Sequence, residues 1–402
     1  MNEAVKIAIA RFVGCAHRPG PRNPKKSPDA GSPLPSAVVL ENPTRRAAQR
    51  LTDKGFAHIH RFVVLPCSKG PRWLLPLGHT HRTLEGFQIY TPYAPRARIL
   101  KAIVLRAIKA GWDGWGWPRV LVASRGPLPL EVLVRQVTGE REPTFAMSLG
   151  VGGIVRKLTV QVMRPNGEIL GYIKLPLADA AAERVRRETG ILTRLWDFPP
   201  LHPHIPRVLY AGEWSDGFIL FQSPGPPSPG PAAFGPLHED FLRTLRGTYE
   251  VEKPGREVVE GVNARWQKAA PLLDVELRAL GERALERALR EMDGTTIPCG
   301  LTHGDFVPWN TRVDDGRLFL LDWESATGDI PFIWDVFHFQ VQVARMLNPS
   351  SDRILPLGQS PAHNASFLLY LLNSVSDYVE EAVAGHPNIE YRKRILRRQL
   401  AQ

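Results

Sequence analysis

Residues 301–325 read LTHGDFVPWNTRVDDGRLFLLDWES. Three side chains with oxygen donors, Asp305, Asn310 and Asp322, stand inside this strongly apolar stretch. Burying such groups is costly unless a partner satisfies them, so any fold of this chain has to supply one. The spacing predicts how they meet. Asp305 opens a short loop pinned by Pro308 and Trp309, and Asn310 follows five positions later. RVDDGRLFLLDWE predicts a hairpin with Asp314, Asp315 and Gly316 in its turn, and Asp322 ends its second, apolar strand. The hairpin returns Asp322 to the loop that carries Asp305 and Asn310, so three oxygen donors converge at one mouth.

Carboxylate and amide oxygens suit Mg²⁺, which takes one or two protein ligands beside phosphate oxygens. A carboxylate near such an ion can orient and deprotonate an attacking hydroxyl. The spacing here is H-G-D-x-x-x-x-N, with Gly304 where protein kinases carry an arginine, and Asp322-Trp323-Glu324 where they carry D-F-G. The segments HGDFVPWN, LLDWESA and PFIWDVFHF occur in order and spacing. Together they resemble the Brenner-type motif of the aminoglycoside phosphotransferase and choline kinase family, over roughly residues 145–345.

The resemblance implies an α+β, two-lobed protein-kinase-like fold, with a small antiparallel-sheet N-lobe and a mainly helical C-lobe. It implies ATP and Mg²⁺ as cofactors and a small-molecule hydroxyl as acceptor, on an aminoglycoside, an amino alcohol or a sugar-like compound. It makes Asp305 the catalytic carboxylate, and Asn310 and Asp322 the metal ligands. Asp335 follows the family pattern as a brace for the catalytic loop. The family also has a lysine that holds nucleotide phosphates on the third strand of its N-lobe. Lys174 in GYIKLPL fits that place, and a lone charge in an apolar strand needs an anionic partner. The following helix offers Glu183 and Glu188. At 100° per residue Val185, Leu192, Leu195 and Trp196 mark its apolar face; Glu188 falls inside that face and Glu183 opposite, so Glu188 is the expected partner. FILFQSPG resembles the hinge, where backbone near Gln222 and Ser223 would meet adenine. The glycines of SLGVGG, Gly150, Gly152 and Gly153, suit either a phosphate-approaching loop or a plain hairpin turn.

Elsewhere the chain reads as four parts. Residues 1–55 are expected to be a disordered, basic, Pro-rich tail, because HRPGPRNPKKSPDAGSPLPS cannot bury enough apolar surface to fold. Residues 56–135 predict a small α/β extension, with strands in RFVVLP, RWLLPLG and GFQIYTPY. A helix follows whose Ile99, Ile103, Leu105 and Ile108 recur at helical spacing. Trp112, Trp115 and Trp117 after it are expected to pack a loop against the core. Residues 143–222 predict the N-lobe, with a hairpin at Asn166-Gly167, and 223–402 the helical C-lobe.

Charge is uneven. Residues 1–200 hold 31 lysines and arginines against 14 acidic residues, and 201–402 hold 20 against 26. A basic half can attract nucleic acid or an acidic membrane, but no nucleic-acid motif accompanies the charge, and nucleic acid is not the expected partner. Cys15, Cys67 and Cys299 are too scattered for a zinc site or a disulfide framework. VKIAIARFVG is too short, and too soon broken by Arg11, to be a signal peptide. No stretch reaches the roughly 20 apolar residues of a transmembrane segment. The chain is therefore expected to be cytoplasmic. Besides a small-molecule kinase, the sequence also admits a kinase-like regulatory module that binds nucleotide without transferring phosphate.

Overall fold

The computed structural model describes residues 1–14, 37–67, 70–112, 114–150, 156–214, 217–347, 360–380 and 387–401. The chain divides into two compact units, residues 1–190 with 206–225, and residues 191–205 with 226–402. The class is α+β, with an antiparallel sheet and flanking helices in the first unit and mostly helices in the second. Among the described residues no helix is long and apolar enough to cross a membrane.

The first unit runs α1 (Glu3–Phe12), β1 (Ala37–Glu41), α2 (Arg45–Asp53), β2 (His58–Cys67), β3 (Gly70–Pro76), α3 (Thr80–Gly86), α4 (Pro95–Lys109), β4 (Arg119–Ser124), α5 (Pro129–Thr138), β5 (Thr144–Leu149), β6 (Lys157–Met163) and β7 (Ile169–Pro176). α6 (Asp179–Leu195) follows, of which residues 179–190 belong to this unit, and β8 (Val208–Trp214) and β9 (Gly217–Gln222) close it. All nine strands join one antiparallel sheet in the order β1-β4-β2-β3-β5-β6-β7-β9-β8. Alternate residues of β2 point to opposite faces. Phe62 and Val64 join a core with α1 and α5. Val63 and Leu65 join a second core with Phe87 and the inner side of α4. With both faces covered, the strands tolerate near-continuous apolar runs such as VLVA in β4.

Several expectations are corrected here. Residues 1–55 are not a tail throughout. α1 is capped by the Asn2 side chain, which accepts from the Ala4 N–H, and it buries Val5, Ala8, Ile9 and Phe12. β1 pairs with β4, and α2 packs Ala48 against Leu121 and Ala123. The Pro-rich part, 15–36, lies outside the described residues, as do Gly152 and Gly153. GFQIYTPY is no strand: Phe87–Ile89 form a single 3-10 turn after α3. The boundary expected between 135 and 143 separates no compact units, because β3 pairs with β5 and joins both regions into one sheet. The helix expected from Ile99, Ile103, Leu105 and Ile108 is α4, although Ile99 and Ile103 are 62% and 54% exposed. The buried stripe of α4 is instead Ala97, Lys101, Val104, Leu105 and Ile108, all at least partly buried. Of the three tryptophans expected to pack against the core, Trp112 does so, whereas Trp115 and Trp117 are exposed.

The second unit runs β10 (Ser228–Pro229), α7 (Pro236–Arg246), β11 (Glu250–Pro254), α8 (Gly255–Ala269), α9 (Val275–Met292), β12 (Thr296–Thr302), β13 (Thr311–Asp314), β14 (Arg317–Leu320), β15 (Thr327–Pro331), α10 (Ile333–Leu347), α11 (Pro361–Glu380) and α12 (Pro387–Gln399). α8 to α12 share one core built on Val262, Trp266, Leu285, Phe337, Leu368 and Ile395. α8 and α9 approach closely at Gly281, where a Cβ would lie 2.0 Å from the Trp266 ring. β13 and β14 form the hairpin, its turn made by Asp315 (φ 46°) and Gly316 (φ 69°), both left-handed.

α1 makes the clearest stability test. Phe12 is fully buried, edge-on to Phe145 at 5.1 Å and Phe62 at 5.9 Å. Phe12→Ala should lower stability by ~3–5 kcal/mol, the usual cost of deleting a core aromatic ring. A urea unfolding midpoint checks this; an unchanged midpoint would mean that α1 is not part of the core.

Candidate active site

In the second unit β12 ends at Thr302 and leads directly into His303, Gly304 and Asp305. The start of this loop is held by Asp335, near the N-terminus of α10. The Asp335 carboxylate accepts the His303 N–H at 2.8 Å and the Gly304 N–H at 3.0 Å. Burial pushes the Asp335 carboxyl above its ordinary value, although His303 and the two N–H donors pull the other way. Gly304 has φ +75°, and a Cβ there would lie 2.4 Å from the Ser325 carbonyl oxygen. The arginine of the protein-kinase motif therefore cannot stand at this position without moving the Asp322 segment.

His303 is buried and ties the loop to the end of the hairpin. Its Nε2–H donates to the Leu321 carbonyl at 3.0 Å, and its Nδ1 accepts the Asp305 N–H at 3.2 Å. Desolvation lowers its pKa, consistent with a neutral ring that has one donor and one acceptor nitrogen. Leu321 is held from the other side as well, since its N–H donates to the Asn310 carbonyl at 2.8 Å. The residue before Asp322 is thus fixed to both ends of the loop that carries Asp305 and Asn310. Asp322 itself has left-handed backbone, φ 67° and ψ 62°, a conformation uncommon outside glycine and a frequent mark of functional sites. Trp323 is buried beneath, its ring 4.8 Å from that of His303.

Asp305 and Asn310 are in direct contact. The Asn310 Nδ2 group donates to Asp305 Oδ2 at 2.9 Å and to the Asp305 carbonyl at 3.0 Å. With both amide hydrogens used, the group Asn310 offers to a ligand is its side-chain oxygen. Asp322 adds a carboxylate. This donor set of hard oxygens fits Mg²⁺ and has no soft ligand that would favour zinc or copper.

The second oxygen of Asp305 meets a residue absent from the motif reading. His338 Nε2 lies 3.1 Å from Asp305 Oδ1, and His338 Nδ1 lies 3.3 Å from the Tyr370 hydroxyl. Arg392 Nη2 donates to that hydroxyl at 3.4 Å. Arginine has no acceptor, so Arg392 donates to Tyr370; the ionised Asp305 carboxylate has no donor, so His338 Nε2–H donates to it, and a neutral imidazole then accepts at Nδ1 from the Tyr370 hydroxyl. Burial raises the Tyr370 pKa to about 12, so its hydroxyl keeps the proton this chain requires. Burial also acts to raise the Asp305 pKa, but the hydrogen bond from His338 and the nearby imidazoles outweigh it and hold the carboxyl below its ordinary value. His338 was legible only as a histidine one helical turn beyond Asp335; its partner Asp305 is 33 positions earlier in the chain.

In the first unit, β7 carries Lys174 and α6 carries Glu188. Lys174 Nζ lies 2.6 Å from both carboxylate oxygens of Glu188. Lys174 is 5% exposed and Glu188 fully buried, while Glu183 is exposed. Such a pair adds little net stability because both charges lose their water, yet removing one partner alone costs ~3–5 kcal/mol. Gln222 ends β9, between β7 and β8, and its buried Oε1 has no hydrogen-bond partner among the described residues. Ser223 and Arg207 are bonded reciprocally: the Ser223 N–H donates to the Arg207 carbonyl at 2.8 Å, and the Arg207 N–H to Ser223 Oγ at 2.9 Å. The Ser223 N–H is therefore committed to the Arg207 carbonyl. The first unit ends close by, at Gly225.

Residues 172–341 match the family model described as "Phosphotransferase enzyme family". This segment belongs to that family. No curated protein matches the chain. Among solved structures, a thermostable mutant of aminoglycoside phosphotransferase APH(4)-Ia, in ternary complex with ADP and hygromycin B, is 14% identical with a TM-score of 0.46. That match covers 68% of this chain and 98% of that one. ADP-bound aminoglycoside phosphotransferase APH(2'')-Ib is 16% identical with a TM-score of 0.42, covering 67% and 97%. The GDP complex of wild-type aminoglycoside 2'-phosphotransferase-IIIa is 18% identical with a TM-score of 0.42, covering 68% and 97%. The matched segment contains Lys174, Glu188, Asp305, Asn310, Asp322, Asp335 and His338.

His238 on α7 gives a pH test of the packing behind the loop. Its Nδ1 accepts the Gly235 N–H, and its ring lies 5.8 Å from that of Phe306 and 4.7 Å from that of Phe339. Burial lowers its pKa from 6.5 to about 4. The folded state then binds fewer protons than the unfolded state between these values. The stabilising contribution is complete above pH 6.5 and is lost as pH falls toward 4, by about 3 kcal/mol at most. Urea midpoints at pH 7 and 4.5 should show this loss in the wild-type chain and a smaller one in His238→Gln, which keeps an acceptor for the Gly235 N–H.

Proposed function

We propose that this chain is an ATP- and Mg²⁺-dependent phosphotransferase that moves the γ-phosphoryl group of ATP onto a hydroxyl of a small molecule. The observation that carries the reading is the doubly held Leu321, which keeps Asp322 beside the loop of Asp305 and Asn310. Phosphoryl transfer asks a protein mainly for positioning and charge neutralisation, and a cross-tied loop supplies fixed positions.

Each residue has a distinct task. The Asn310 side-chain oxygen and the Asp322 carboxylate would hold Mg²⁺, which when bound neutralises phosphate charge. Asp305, its two oxygens oriented by Asn310 and His338, accepts a hydrogen bond from the acceptor hydroxyl. Its lowered pKa makes it a weak base, suited to orienting the hydroxyl with full negative charge rather than removing the proton early. Lys174 positions nucleotide phosphates while Glu188 holds the ammonium in place. His338 acts through Asp305.

Calorimetric titration with MgATP, run beside turnover on a panel of aminoglycosides, amino alcohols and sugars, tests this division. Wild type should bind MgATP and show a raised melting temperature. Asp322→Ala should lose both binding and turnover. Asp305→Asn keeps the size of the side chain, so MgATP affinity should stay within a few-fold while turnover falls by roughly 10²-fold or more. Equal loss of nucleotide in both variants would refute the assignment, and no binding in wild type would refute the kinase reading.

His338 is tested separately. His338→Gln retains an N–H for Asp305 and should keep more activity than His338→Leu, whose kcat should drop at least tenfold with unchanged affinity for MgATP. If both variants match wild type in kcat, His338 does not position Asp305.

A further inference from the structure

α4 lies far in the sequence from every residue assigned above, and its outward side is unusual. Ile99, Leu100 and Ile103 are 62%, 63% and 54% exposed. At 100° per residue Ile99 and Ile103 fall within 40° of each other, at the middle of the outward side. Arg106 and Lys109 flank them on one edge and Arg96 on the other, all exposed. The helix carries Arg96, Arg98, Lys101, Arg106 and Lys109 and no acidic residue. Only Lys101 turns inward, where it donates to the Tyr90 carbonyl and stands over the Phe87 ring. Among the described residues no ion pair engages Arg96, Arg98, Arg106 or Lys109. The loop directly after the helix exposes Trp115 at 72% and Trp117 at 38%. Isolated exposed apolar residues are ordinary, but Ile99 and Ile103 set between basic residues on both edges, with exposed Leu100 just beyond Arg96, are not.

We propose that α4 with the loop carrying Trp115 and Trp117 is a docking surface for an anionic lipid bilayer. The helix would lie in the plane of the interface. Ile99, Leu100 and Ile103 would enter the boundary between headgroups and acyl chains, the basic rim would meet lipid phosphates, and the tryptophans would sit at headgroup level. Charge complementarity selects this occupant. The basic rim suits a surface of negative charge, and the aliphatic centre suits one with an apolar layer beneath it. A nucleic acid has the charge but no apolar layer for the isoleucines. A second copy of the chain would bring a rim of the same sign against this one. Residues 17–36 of this chain carry Arg18, Arg22, Lys25 and Lys26 against Asp29, again the wrong sign to cover the helix. The proposal places the protein on a membrane surface, not through it.

Co-sedimentation of the full chain with vesicles tests this. The vesicles are pure phosphatidylcholine or phosphatidylcholine with 30 mol % phosphatidylglycerol as the anionic probe, at low and physiological salt. The chain should bind the anionic vesicles and not the neutral ones, and more weakly as salt rises. Ile99→Ser with Ile103→Ser should abolish the binding. Each of Arg96→Gln, Arg106→Gln and Lys109→Gln should weaken it roughly fivefold. All these positions are exposed, so melting temperature and its MgATP shift should be unchanged, which separates this outcome from any failure of the kinase reading. Absence of vesicle binding overturns the proposal, as does binding that the isoleucine variant leaves intact. Two further results overturn it: a dimer in solution that the isoleucine variant converts to monomer, and oligonucleotide binding that depends on the same residues without vesicle binding.

Discussion

The loop that carries Asp305 depends first on one buried carboxylate. Asp335 is 2% exposed and accepts both the His303 and the Gly304 N–H. The buried His303 N–H would otherwise be unsatisfied, at a cost of ~1–3 kcal/mol, and the part-buried Gly304 N–H beside it would lose its partner too. The acceptor sits in the first turn of α10, where negative charge is favoured by the helix dipole. One side chain thereby links the end of β12 to the start of α10 and fixes where Asp305 emerges. Nothing in this contact touches a substrate, yet the position of Asp305 follows from it.

Around that brace the second unit shares the work between a neutral and a charged set of groups. His303 is neutral and works as a two-sided connector between Asp305 and Leu321. Arg392, fully buried on α12, is the one permanent cation of the Asp305 chain, and it reaches Asp305 only through Tyr370 and His338. Its charge is spread over contacts with Ser374 Oγ, the Asn388 carbonyl and the face of Tyr378, which satisfy a guanidinium that burial would otherwise penalise. The distance matters chemically. An arginine bonded directly to Asp305 would compete with an acceptor hydroxyl for the same oxygens. A relay lowers the pKa of the carboxylate and orients one oxygen while leaving the group able to accept from a ligand.

Much of the site was legible because its residues are close in sequence. Asp305 and Asn310 share a loop, and a hairpin of fixed register returns Asp322 to it, so spacing alone determines the encounter. Glu188 was legible for another reason: it is a charge on the apolar face of a helix, which needs a buried cation. The relay was not legible, because the sequence separations of His338, Tyr370 and Arg392 carry no periodic signal and their meeting depends on how α10, α11 and α12 pack. The first unit shows two further limits. α1 is a short helix broken by Arg11 in the line, and only its docking beside Phe62 and Phe145 makes it core. In α4 apolar residues occupy more than half the circumference, so periodicity establishes a helix without saying which stripe turns inward. Packing against Phe87 and the bond from Lys101 to the Tyr90 carbonyl select the Lys101 and Ile108 stripe over the Ile99 and Ile103 stripe.

The places where the chain departs from local rules are informative for the same reason. The left-handed backbone of Asp322, a lysine and a glutamate buried together, an arginine inside a helical core and an aliphatic stripe turned to solvent each carry a cost that a sequence chosen for folding alone would avoid. Three of the four lie at or behind groups proposed above to handle phosphate: Asp322, the Lys174–Glu188 pair, and Arg392 at the far end of the Asp305 chain. A rule that explains three departures by one activity leaves the fourth, the outward side of α4, unexplained by that activity. It lies in a different part of the sequence, on the opposite side of α4 from the stripe that packs over the sheet, and it combines apolar and basic character that neither core packing nor nucleotide handling requires. Its cause has to be sought in what the outer side of that helix meets.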